Sequence, residues 1–95
     1  MTSSDAGAAL DAIRVFANSA NSVRIFEALT DGPTTSSDLA ERTGASRSTV
    51  ARVLDEGESR GWIDSAGSRY ELTYVGEVMI EEFRAYQQTV EGIQQ

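Results

Sequence analysis

Residues 35–72 read TSSDLAERTGASRSTVARVLDEGESRGWIDSAGSRYEL, and the order of signals in this stretch decides the architecture. Thr35 followed three residues later by Asp38 is a capping-box pattern, in which the Thr35 oxygen and the Asp38 carboxylate each take up a free backbone donor. The short helix through Leu39 and Ala40 is expected to end at Thr43-Gly44. After the tight link Gly44-Ala45, Ser46 is placed to cap a longer helix to about Arg60, with Val50, Val53 and Leu54 facing inward and Gly61 as its stop. Trp62-Ile63 and Tyr70-Glu71-Leu72 are short strand candidates around Ser65-Ala66-Gly67-Ser68, a hairpin signal with Gly67 available for positive φ. Two helices joined by a glycine turn and followed at once by a hairpin describe a winged helix-turn-helix.

Working outward, residues 1–7 are small and polar and are expected to be a disordered N-terminus. From Ala8, Leu10, Ile13 and Phe16 fall three apart, which suits one face of a first helix. Asn18–Asn21 interrupts it, and Asn21 or Ser22 is placed to cap a second helix carrying Val23, Phe26 and Leu29. That helix stops at Asp31-Gly32-Pro33, where Gly suits a left-handed position and Pro cannot continue the ladder. Tyr74 to the end is helical in pattern. The expected fold is mainly α with a small β-hairpin: a winged helix-turn-helix over 8–73 and an extended C-terminal helix over 74–95.

Composition narrows the function. The chain has 95 residues, enough for one modest core. It contains no Cys, no His and no Lys, and all eight basic residues are Arg. Thiolate zinc sites, the commonest general base and phosphate-loop or Schiff-base lysines are therefore excluded, and no enzyme, cofactor or metal is expected. Fifteen acids against eight arginines give a net charge of −7, which ordinarily counts against a nucleic-acid binder. Acidity without lysine fits a high-salt cytoplasm, where salt screens the self-repulsion; GC-rich codons would also explain the all-Arg usage. No apolar run approaches a membrane span and the start lacks a secretory signal, so a cytoplasmic protein is expected.

The stretch SSDLAERTGASRSTVARVLDEGESRGWI…YELT resembles the winged helix-turn-helix of prokaryotic transcription regulators of the ArsR, MarR and IclR types. It is most similar to the N-terminal domain of haloarchaeal regulators related to the methanogenesis-regulator family. The resemblance covers about residues 8–80 and implies double-stranded DNA as partner and a longer chain with a C-terminal sensing region. One departure is Gly57, which stands where the family usually has a large aliphatic residue. A helical Gly costs about 1 kcal/mol relative to Ala and adds nothing to the core, so it puts the rigidity of the helix's far end in question.

Local charge answers the objection from net charge. Residues 32–54 sum to +1 while every other part of the chain is negative, and Arg42–Leu54 holds three arginines and no acid. With Val50 and Leu54 buried, Arg47, Ser48, Thr49 and Arg52 fall on exposed or flanking faces at the end of the recognition helix (about 47–60) that enters a major groove. Arg can bind guanine O6 and N7, and Ser46, Ser48 and Thr49 can reach a base or a phosphate. Set against this, Arg47 and Arg52 can be plain solvated charges, Arg52 pairing with Glu56 four residues on. Ser36 and Ser37 can hold a phosphate at the preceding helix start, or merely cap it. Arg69, in the wing (about 62–73), can grip backbone or minor groove, or be ordinary surface. Trp62 and Tyr70 read as core.

In the last helix Met79, Phe83, Tyr86, Val90 and Ile93 step by 4, 3, 4 and 3, an a/d seam over about two heptads. The front half is expected to pack Val75, Val78 and Met79 on the first helix. Phe83, Tyr86, Val90 and Ile93 are expected to face a second copy of the chain in a homodimer. The chain ends on Gln94-Gln95 without a stop signal, as a segment of something longer would. Two functions compete: sequence-specific DNA binding in a transcription regulator, favoured by Arg47-Ser48-Thr49…Arg52, and a winged-helix module for protein–protein contact, favoured by the net acidity.

Overall fold

Short-range hydrogen bonds set the limits of each element. The computed structural model describes residues 2–93, leaving the side chains of 2–6, 8, 9 and 93 outside that description. The order is α1 (Thr2–Ala17), α2 (Ala20–Leu29), β1 (Thr34–Thr35), α3 (Ser36–Thr43), α4 (Arg47–Arg60), β2 (Ile63–Ala66), β3 (Arg69–Leu72) and α5 (Tyr74–Ile93). This is the winged helix-turn-helix expected from the sequence. Ser46 Oγ accepts from Thr49 N at 3.1 Å and starts α4. Gly44 and Gly61 adopt φ of 77° and 78° and end α3 and α4, a conformation that L side chains rarely take.

Several local expectations are corrected. α1 spans Thr2–Ala17 and so begins ahead of Ala8. Its buried face is Ala12 and Phe16, whereas Leu10 is 58% exposed. Ser19, rather than Asn21 or Ser22, caps α2: its Oγ accepts from Ser22 N at 3.1 Å and from Ser22 Oγ at 2.9 Å. The capping box at α3 is only half formed. Asp38 N donates to Thr35 Oγ1 at 3.1 Å, but the Asp38 carboxylate accepts from Thr34 Oγ1 at 2.7 Å and from Arg42 Nη1 at 3.3 Å. Arg42 also pairs with Asp31.

The wing is larger than a hairpin. β3 lies between β2 and the two-residue β1, antiparallel to both, with Ile63 opposite Leu72 and Thr34 opposite Tyr70. Two residues were too few to carry any periodic signal. Gly67, at φ 64°, turns the chain between β2 and β3.

One core joins all the helices to the wing. Phe16, Phe26, Trp62 and Phe83 form an aromatic centre, with ring centroids 4.8 to 6.1 Å apart. Ala12, Ile25, Leu29, Leu39, Val50, Val53, Leu54, Ile63, Met79 and Ile80 complete it. Trp62 is core, as expected, and Tyr70 packs half-buried against it. The inward face of α5 is Met79, Ile80 and Phe83; of the expected Val75, Val78 and Met79, only Met79 is buried, Val78 being half-buried and Val75 44% exposed.

Two glycines permit close approach. A Cβ on Gly57 would collide with the Ile63 side chain, reaching its Cγ1 at 2.9 Å. The residue therefore serves the core by leaving room for Ile63. A Cβ on Gly76 would strike the Trp62 carbonyl, with the carbonyl carbon 3.0 Å away. Backbone cannot rotate aside as a side chain can. Gly76→Ala should destabilise by about 1–3 kcal/mol in equilibrium urea unfolding. Gly57→Ala should be milder, because helix propensity offsets part of the clash, and Ile63→Val should recover part of the loss by removing Cδ1.

The Thr34 hydroxyl, followed by the Arg42 contact, holds the Asp38 carboxyl below its ordinary value. A depressed carboxylate stabilises the fold fully above its unfolded pKa and loses that contribution as pH falls through the folded one. Wild type should thus melt above Asp38→Asn near neutrality, and the gap should close as pH falls below the ordinary Asp range.

Candidate nucleic-acid interface

The buried side of α4 is Val50, Val53, Leu54 and Gly57, so its free side is Arg47, Ser48, Ala51, Arg52 and Asp55. These recur at i, i+1, i+4, i+5 and i+8, a stripe starting at the helix N-terminus. Ala51 was missed in the sequence. It carries no polar group to draw attention, yet it lies between the arginines and keeps that part of the helix low. The stripe turns acidic only at Asp55, with Glu58 exposed beyond it.

The structure separates the candidate residues into different roles. Arg47, Ser48 and Arg52 are exposed on the stripe. Ser46 is exposed but occupied as the cap, and its hydroxyl also donates to Thr49 Oγ1 at 2.9 Å and lies 3.2 Å from Ser48 Oγ. Thr49 is half-buried at the flank. Ser36 and Ser37 are exposed at the start of α3, and Arg47 Nη2 donates to Ser37 Oγ at 3.3 Å across the turn. Arg69 is exposed in the first position of β3, folded back so that Nη1 donates to the Pro33 carbonyl at 3.4 Å.

Ion pairing sorts the eight arginines. Arg14 pairs with Asp11, Arg42 with Asp31 and Asp38, Arg60 with Glu56, and Arg84 with Glu27 and Glu81. Arg42, grouped by the sequence with the acid-free stretch, is therefore neutralised by carboxylates from outside it. Arg60 takes Glu56, which the spacing had offered to Arg52, and also rests on the Trp62 ring at 5.2 Å. Among the described residues, Arg24, Arg47, Arg52 and Arg69 have no carboxylate within 4.0 Å. Two of these four stand on the α4 stripe and one in the wing.

The expected seam of α5 is divided. Phe83 is 4% exposed and packs on Phe16 at 5.5 Å, so it belongs to the chain's own core. Tyr86 is 40% exposed and Val90 half-buried; the Ile93 side chain lies outside the described residues. Among the described residues no helix is long and apolar enough to cross a membrane.

Solved structures with this fold include the MarR family transcriptional regulator SPO1453 from Silicibacter pomeroyi DSS-3, at TM-score 0.67 and 19% identity, covering 98% of this chain and 73% of that one. The transcriptional regulator Tm0710 from Thermotoga maritima matches at 0.67 and 21% identity, covering 90% of this chain and 66% of its own. At these identities the likeness is one of fold. The chain is also similar to the dimethyltransferase RosA from Streptomyces davawensis, at TM-score 0.53 and 25% identity, over 79% of this chain and 21% of that one. No curated protein matches the sequence. The sequence profile of the HVO_A0261 N-terminal domain matches residues 10–95, and the chain belongs to that family, with the winged helix-turn-helix fold of MarR-family regulators.

Proposed function

We propose that the chain is a sequence-specific binder of double-stranded DNA and part of a cytoplasmic transcription regulator. The N-terminal turns of α4 enter the major groove, and the β2–β3 wing lies along the backbone or minor groove. One observation carries this reading: in a chain with nearly twice as many acids as arginines, Arg47 and Arg52 stand without a carboxylate partner on the exposed stripe of α4. Arg47 is the candidate for a bidentate guanine contact, with Ser48 and Arg52 beside it and Ala51 against a thymine methyl. Ser36 and Ser37 face a phosphate, and Arg69 reaches the backbone once it leaves the Pro33 carbonyl. Asp55 and Glu58 repel phosphate and confine the DNA to the first two turns.

Arg47→Ala or Arg52→Ala should cost about 1–3 kcal/mol at the preferred site and relax specificity there. Arg69→Ala should weaken all sequences evenly and lower the salt slope by about one. A footprinting titration at several salt concentrations measures both. If neither α4 variant changes site-specific binding, the winged-helix interaction module takes the place of this reading.

The regulator acts as a homodimer through the far half of α5, where Tyr86 and Val90 remain available, so that two α4 helices address successive half-sites. Sedimentation at high salt should show a dimer, reduced to a folded monomer by Tyr86→Glu with Val90→Glu. Phe83→Glu should instead unfold the chain, since it places a carboxylate in the aromatic core.

A further inference from the structure

We infer that Ser37 is the positioning residue for Arg47, holding its guanidinium at the seam between α3 and α4 so that it meets a base edge already oriented; this rests on the DNA-reading role proposed above. The two residues are ten apart in sequence and on different helices, yet Arg47 Nη2 donates to Ser37 Oγ at 3.3 Å. The Arg52 side chain, on the same exposed stripe, makes no hydrogen bond among the described residues. Of the two arginines facing the groove, one is held and one is loose.

The chemistry of the pair explains what the contact can do. Arg47 has long, rotamer-rich reach, and ordering it on binding opposes affinity and blurs discrimination. By accepting from the guanidinium, the Ser37 hydroxyl keeps its own O–H for an outward acceptor, and the guanidinium keeps its other N–H donors for a base. A phosphate oxygen beside the start of α3 is such an acceptor. Phosphate, Ser37 and Arg47 then form one polarised chain of donors, in which each bond strengthens the next. The base pair read by Arg47 is thereby tied in register to the phosphate gripped by α3. A Ser37 that acted only as a phosphate contact would affect every sequence alike.

The test combines two measurements on the full chain. Relaxation of the Arg47 Nε–H group by nuclear magnetic resonance reports its order without DNA. Binding is measured to duplexes selected from a randomised library and to the same duplexes substituted one base pair at a time. In Ser37→Ala the Arg47 side chain should become more mobile, and discrimination at the base pair that Arg47 reads should fall roughly twofold to tenfold. Ser37→Thr, which keeps the hydroxyl, should retain both properties. Ser37→Ala added to Arg47→Ala should cause no further loss of discrimination. Equal Arg47 mobility in wild type and Ser37→Ala overturns the inference, as does an even loss across all duplexes. An ordered Arg47 in a wild-type chain that selects no duplex instead overturns the DNA-reading role, and the inference with it.

Discussion

At Trp62 the end of α4, both flanks of the wing and the start of α5 meet around one backbone carbonyl. Thr73 N donates to Trp62 O at 3.0 Å, Thr73 Oγ1 donates to Gly61 O at 2.7 Å, and Gly76 N donates back to Thr73 Oγ1 at 3.0 Å. The absence of a side chain at Gly76 lets α5 sit directly on that carbonyl. The Trp62 ring then reaches Phe16 of α1 and Phe26 of α2. Helix α4 is thereby held at its C-terminal end against the wing and α5, while Val50, Val53 and Leu54 bury its inner face along its length and leave its outer stripe exposed. The DNA-reading role proposed for α4 uses that division: one face anchored in the core, the other open to solvent.

The charge pattern is the second organising fact. An acidic chain repels DNA as a whole, and the Debye length of roughly 8–10 Å at moderate salt confines that repulsion to near neighbours. Asp31 and Asp38 are turned to Arg42, and the acids of α4 lie beyond its first turns, whereas Glu41 of α3 and Asp64 and Glu71 of the wing are exposed without an arginine partner among the described residues. On the DNA-binding reading proposed above, counterion release yields little free energy wherever bulk salt is high, and base-edge and shape contacts then carry more of the affinity. Pre-ordered side chains matter more under such conditions than additional positive charge.

The terminal helix illustrates two structures drawing on one apolar pattern. A heptad seam and a core-facing stripe share the spacings of three and four residues, so Met79 and Phe83 fit both. In the fold they line the core together with Ile80, which the heptad reading passes over. Burial inside the chain was available to Phe83 because Phe16 and Trp62 already form an apolar wall opposite α5. The part of the seam that stays exposed begins only after that wall ends, at Tyr86.

The helix limits Thr35, Gly44, Ser46 and Gly61, and the inward face of α4, were legible in the sequence because they depend on contacts within three or four residues. The exposed stripe of α4 was legible for the same reason. Arg42 taking Asp31, Ser37 meeting Arg47, β1 pairing with β3, and the space that Gly57 and Gly76 leave for Ile63 and Trp62 were not. Each joins residues distant in the chain, and an amphipathic pattern states that a face is buried without stating against what. Local hydrogen bonding and backbone sterics are properties of a short segment, so the sequence determined where the elements begin and end. Partnership among their side chains requires the elements to be in place, so only the tertiary structure decided which arginines remain free.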